Sequence, residues 1–317
     1  MKNKGYIDEQ SKGVFIISTT PFSNDGSIDF NSVESLIEFY IEKRITGMTI
    51  LGMMGEANKL SANESEGFVK HVIKRVNNRV PIIVGVSNTG LQNLVCLSQF
   101  SMDSGCAGVM VAPISGLNTE KKLYGYFAQV FDALGPDIPV CYQDYPQSTG
   151  VHISVECFNR LVKDFPQLVM LKHEDCPGLG KLTQLRDTAK SENLRRVSIL
   201  TGNGGLYLPQ ELARGADGAM TGFAYPEMLV EVVSMHTEGK GEQAEDLFDA
   251  YLPLVRYEQQ PGFGLAVRKE VLRQRGAIAC ALTRSPGPCL SQSDNSELSK
   301  LIARLEYRLN EMELLAK

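Results

Sequence analysis

No apolar run in this chain is long enough to cross a bilayer, so no membrane contact is expected. The opening residues, Met1 to Lys12, are polar, and the apolar run Val14 to Ile17 is too late and too brief for a signal peptide. The seven cysteines form no CxxC pair and are odd in number, which speaks against both a disulfide framework and a zinc cluster. They read as reduced thiols of a cytoplasmic protein. Positive charge is also short. A net charge of -5, with Lys and Arg scattered along the chain, leaves no basic surface for a nucleic-acid backbone. The four histidines, at 71, 152, 173 and 236, show no helix-borne ligand spacing, and no metal is expected. His173-Glu174-Asp175 is the one suggestive cluster, but a metal would draw ligands from several strand ends. After the first apolar run comes Ser18-Thr19-Thr20-Pro21-Phe22 rather than a glycine-rich nucleotide fingerprint, which disfavours a doubly wound dinucleotide fold and calls for no cofactor.

What is present is core-forming sequence, with 43% hydrophobic and 22% charged residues over 317 positions. Short runs rich in Val and Ile alternate with stretches of helical period, the signature of repeated βα units. Eight such runs occur: Gly13 to Thr19, Met48 to Gly52, Pro81 to Val86, Gly108 to Pro113, Pro139 to Asp144, Leu168 to His173, Val197 to Gly202 and Gly218 to Gly222. Eight parallel strands, each followed by a helix, cover both faces of every strand and leave no edge if the sheet closes. The fold class expected is therefore α/β, a (β/α)8 TIM barrel over residues 1–225 with a helical C-terminal domain over 226–317. Ser61-Ala62-Asn63-Glu64 is a capping box that should open a helix running to Val76. Leu298, Leu301, Ile302, Leu305, Leu309 and Met312 predict an amphipathic last helix after Ser293-Asp294.

In such a barrel, reactive groups sit where strands end, which makes the strand list a search list. Lys172 ends the sixth run, in phase with Leu168 and Met170. Desolvation disfavours the charged form of an amine, so a lysine facing the interior can offer a neutral nucleophile to a carbonyl. An isolated lysine at a strand end would otherwise snorkel to water. Tyr142 ends the fifth run, in phase with Val140 and Asp144, and is expected to pass protons from the adjacent strand; the plainer reading is a core tyrosine. Gly52-Met53-Met54-Gly55-Glu56 follows the second run, and its glycines allow backbone amides to converge on a carboxylate, although GxxG also occurs in ordinary βα turns. Gly202 and Asn203 after the seventh run, and Met220 in the eighth, complete the candidates for substrate contact.

These residues together resemble the dihydrodipicolinate synthase and N-acetylneuraminate lyase family of Schiff-base-forming barrels. The resemblance runs from Thr19-Thr20-Pro21-Phe22 through the GMMGE loop with Leu60-Ser61 and Glu64 to Tyr142-Gln143-Asp144-Tyr145-Pro146, Ser148-Thr149-Gly150 and Lys172. It implies that Lys172 is the imine-forming lysine, Tyr142 the proton relay and Gly52 to Glu56 the cradle of a 2-oxo acid carboxylate. It also implies a lyase of the aldolase or deoxy-sugar-acid dehydratase type and a homotetramer built as a dimer of dimers. Departures mark the second substrate. Met53 and Met54 stand where the family has hydroxyls, and Ser148 stands where its synthases have an arginine. The missing relay hydroxyl keeps a non-catalytic oxo-acid-binding barrel as the alternative from another class.

Overall fold

The computed structural model describes residues 5–315. Its eight strands are β1 (Gly13–Ile17), β2 (Gly47–Ile50), β3 (Ile82–Gly85), β4 (Gly108–Val111), β5 (Val140–Asp144), β6 (Leu168–His173), β7 (Ser198–Thr201) and β8 (Gly218–Thr221). All neighbours pair in parallel and β8 closes on β1, giving a sealed barrel. Each strand falls within, or within one residue of, one of the eight apolar runs.

The helices follow in order: α1 (Phe30–Glu42), α2 (Ala62–Val76), α3 (Leu91–Asp103), α4 (Glu120–Leu134), α5 (Pro146–Thr149), α6 (Val155–Asp164), α7 (Leu179–Ser191), α8 (Leu208–Ala213), α9 (Pro226–Thr237), α10 (Gly241–Glu258), α11 (Gly264–Gln274) and α12 (Gln292–Leu315). The capping box forms as its residues dictate: the Glu64 amide donates to Ser61 Oγ at 3.2 Å, and the Ser61 amide donates to the Glu64 carboxylate at 2.8 Å. The last helix buries Leu298 and Leu305 and packs on α10.

The expected boundary at 225 needs correction. Helix α9 packs on β1 and β8, so it is the eighth barrel helix, and the separate helical region begins at α10. The eighth βα unit needs its own helix because β8 would otherwise expose an apolar outer face.

Two apolar clusters divide the barrel wall. Phe15, Ile17, Ile83, Met110, Cys141, Met170, Leu200 and Met220 meet inside, while Ile16, Val84, Val109, Tyr142, Leu171 and Ala219 face the helices. The interior is a packed core rather than a pore. Gly47 makes room for the Phe15 ring, since a methyl group there would strike it.

A register irregularity between β5 and β6 lies at Val140 and Cys141. Beyond it Cys141 pairs with Met170, Tyr142 with Leu171 and Gln143 with Lys172. Both Val169 and Met170 consequently belong to the inner cluster, whereas Leu168 packs outside.

Candidate active site

Lys172 points into the barrel, in phase with Met170, and is 5% exposed. Its amine lies above a floor of Cys141, Met110 and Met220, groups that offer it little polar solvation. Burial pushes the Cys141 thiol up to about 12, against the lowering effect of the nearby Lys172, so the thiol stays neutral.

The polar partner of Lys172 is Glu174, two residues on and therefore on the same face. Lys172 Nζ lies 3.0 Å from Glu174 Oε2, and Gln143 Nε2 donates to that oxygen at 2.7 Å. Both contacts fall on Oε2, which leaves Oε1 without a hydrogen-bond partner among the described residues. The Glu174 backbone is held too: its amide donates to Asp144 O at 2.9 Å, and its carbonyl accepts from Asn203 Nδ2 at 3.2 Å. Gly202 opens the space, because a methyl group there would collide with Glu174 Cγ. Tyr145 stands nearby, half-buried; burial first and the Glu174 charge second raise its phenol.

Tyr142 is not part of this arrangement. Strand alternation places it on the outer face, where its ring centroid lies 4.5 Å from Phe127 on α4 and 5.8 Å from Phe158 on α6. Burial, then the Asp144 charge, hold its phenol well above the usual range. The residue that β5 turns toward Lys172 is Gln143. Sequence reasoning passed over Gln143 and read Glu174 only as a neighbour of His173. The signal was available, since Gln143 shares phase with Cys141 and Glu174 with Lys172.

His173, Glu174 and Asp175 do not converge. His173 packs outside the barrel, its Nε2 3.0 Å from Gly178 O, beside Asp144. Lys181 on α7 donates to Asp144 Oδ2 at 2.6 Å and to Asp175 Oδ2 at 3.0 Å. Glu211 on α8 adjoins this layer, and burial raises its carboxyl to about 7 despite Thr201 and His173.

The loop after β2 splits into two parts. Gly52 is buried, near Met110, and opens a single turn in which the Gly55 and Glu56 amides donate to Gly52 O and Met53 O. The Met53 and Met54 amides have no acceptor among the described residues. Met54 packs on the inner cluster, while the Met53 side chain is 40% exposed. Glu56 must be removed from the candidate binding residues. Its carboxylate turns away and is consumed by Lys269 at 2.6 Å, Lys59 at 2.9 Å and the Arg284 amide at 2.9 Å. Ser148 is exposed on α5, Asn203 takes a positive φ of 50°, and Met220 is fully buried in the barrel floor.

A profile described as the dihydrodipicolinate synthetase family matches residues 10–305. An L-2-keto-3-deoxyarabonate dehydratase of Azospirillum brasilense is 28% identical over 299 residues, covering 93% of this chain and 94% of that protein. A 4-hydroxy-tetrahydrodipicolinate synthase of Persephonella marina is 29% identical over 77% of this chain and 82% of its own length. The crystal structure of a dihydrodipicolinate synthase from Rhodopseudomonas palustris superposes with a TM-score of 0.92 at 45% identity, covering 95% of this chain and 99% of that one.

Proposed function

The chain belongs to the dihydrodipicolinate synthetase family, and on that premise we propose that it is a lyase that binds a 2-oxo acid as a Schiff base on Lys172. The observation that carries the reading is the placement of the Lys172 amine: buried at the open end of the barrel, over an apolar floor, with one carboxylate and one amide beside it. Addition of that amine to C2 and loss of water gives a protonated imine, which draws electrons from C3 and from the bond beyond it. The free amides of Met53 and Met54 are the donors offered to the substrate carboxylate, with Gly52 and Gly55 shaping the turn.

The same imine serves aldol cleavage, condensation and dehydration. Dehydration of a 2-keto-3-deoxy sugar acid gains support from two features. The A. brasilense relative of that name aligns along nearly the whole chain. The mouth also offers thioethers at Met53 and Met54 and a neutral hydroxyl at Ser148, which suits a polyhydroxy acid better than a second carboxylate needing a cation. A cytoplasmic homotetramer, arranged as a dimer of dimers, is proposed from family membership.

The test is reductive trapping. Incubation with pyruvate followed by borohydride is expected to add the pyruvyl group to Lys172, as read by peptide mass, and to add nothing in Lys172→Ala. An adduct at another lysine, or none with any 2-oxo acid, overturns the reading.

A further inference from the structure

An imine on Lys172 is inert without a group that carries protons to and from the substrate. The inward-facing neighbours are poorly suited to that task. Met110 and Met220 have no ionisable group, the Gln143 amide does not ionise at working pH, and the Cys141 thiol is walled into the apolar floor. Tyr142 lies on the far side of the barrel wall. Glu174 remains. One of its oxygens is fixed by Gln143 and faces the lysine amine at 3.0 Å, and the other is unengaged among the described residues.

We propose that Glu174 is the general acid and base of the reaction, acting through Oε1 on a 2-oxo acid that carries a hydroxyl at C4, with Gln143 as its positioning residue. This rests on the imine reading above. The steps balance around one carboxyl group. Glu174 takes a proton from C3 of the protonated imine; the C3–H pair becomes the C2=C3 bond, and the C=N pair moves onto nitrogen to give a neutral enamine. The nitrogen pair then returns, C2=C3 shifts to C3=C4, the C4–O bond breaks, and the proton held by Glu174 leaves with that oxygen as water. A second water adds to C2 and frees Lys172. A carboxylate that accepts first and donates second is restored at the end of each cycle.

The half-reaction can be read with pyruvate, which forms the enamine but has no C4 to lose. Exchange of its methyl protons in deuterium oxide, followed by proton NMR, is run in parallel with borohydride trapping at Lys172. In Glu174→Gln, trapping at Lys172 is expected to persist while exchange falls by about 10²-fold or more, the scale of a removed acid or base. Glu174→Ala is expected to recover part of its exchange when formate is added, since formate can occupy the space beside Gly202. Tyr145→Phe is the control and should exchange at a rate close to that of the unmodified protein. Trapping with undiminished exchange in Glu174→Gln, or a loss of exchange that follows Tyr145→Phe instead, overturns the assignment. Loss of trapping in Glu174→Gln, with no recovery of Glu174→Ala by formate, gives Glu174 the role of holding the lysine and also overturns it. Absence of trapping in the unmodified protein removes the imine itself, a failure distinguishable from the others.

Discussion

A methyl group at position 202 would occupy the space that Cγ of Glu174 fills, so Gly202 sets where that carboxylate can stand. The backbone at Gly202 has a negative φ of -106°, outside the left-handed region, so the conflict an alanine meets first is with the Glu174 side chain. Gly202→Ala is therefore expected to fold with a loss of about 1–3 kcal/mol for overpacking, while pyruvate methyl exchange falls about 10²-fold. Circular dichroism and exchange on one preparation check both; normal exchange would show that Glu174 tolerates displacement. Tyr142 behaves oppositely. Wedged between Phe127 and Phe158, it contributes ring packing rather than a proton. Tyr142→Phe should retain turnover within a few-fold, and Tyr142→Ala should cost about 3–5 kcal/mol in urea denaturation. A large loss of turnover in Tyr142→Phe would return the relay role to this residue. The family motif singles out a tyrosine before a proline, and that pattern drew attention to Tyr142. Alternation along β5 carried the better information, because only one of two adjacent residues can face the barrel interior.

At the scale of elements, strand positions were readable because eight Val- and Ile-rich runs separated by helical periods leave few other architectures. Facing was harder. The irregularity at Val140 and Cys141 puts Val169 and Met170 together inside and moves Leu168 outside, and nothing in the composition of β6 announces it. The short helix α8 shows a second feature hidden from sequence: Glu211 lies buried against β7, with Oε2 lacking a partner among the described residues. Burial raises this carboxyl from its usual 4.5 to about 7, so the folded state holds the proton more tightly than the unfolded chain. Below pH 4.5 both states are protonated and the site costs nothing. Between pH 4.5 and 7 the unfolded chain gains by ionising, and above 7 the folded state has lost about 3 kcal/mol relative to its acid-side stability. Glu211→Gln is expected to remove that dependence, so its denaturation midpoint should gain on the unmodified protein as pH rises from 4.5 past 7. A constant difference across that window would show that Glu211 ionises at no cost.

For the whole molecule, the question is what fixes the loop after β2, since its amides are the proposed seat of the substrate carboxylate. The barrel supplies only part of the answer, a hydrogen bond from Thr20 Oγ1 to Gly55 O at 2.6 Å. The rest comes from the C-terminal region. Lys269 on α11, fully buried, donates to Glu56 Oε1 at 2.6 Å, Thr20 O at 2.8 Å and Leu282 O at 2.7 Å. Arg284 clamps the same loop through Lys59 O at 2.7 Å and the start of α2 through Glu64. Lys269 lies 213 residues from Glu56 in the chain, which is why the GMMGE loop could be recognised in the sequence while the role of Glu56 could not. A buried charge that keeps its partner is satisfied; one that loses it is stranded in a poorly solvating site. Lys269→Met and Glu56→Gln are each expected to destabilise by about 3–5 kcal/mol, and the double variant by less than the sum of the two, because neither member of the fully buried pair is then left facing a lost partner, while Lys59 keeps Arg284 O at 2.6 Å. Urea denaturation of the four proteins measures the coupling, and strict additivity would refute a specific pair. Each single variant should also weaken trapping of pyruvate at Lys172, because the Met53 and Met54 amides are held in register only as long as Glu56 is anchored to the helices beyond the barrel.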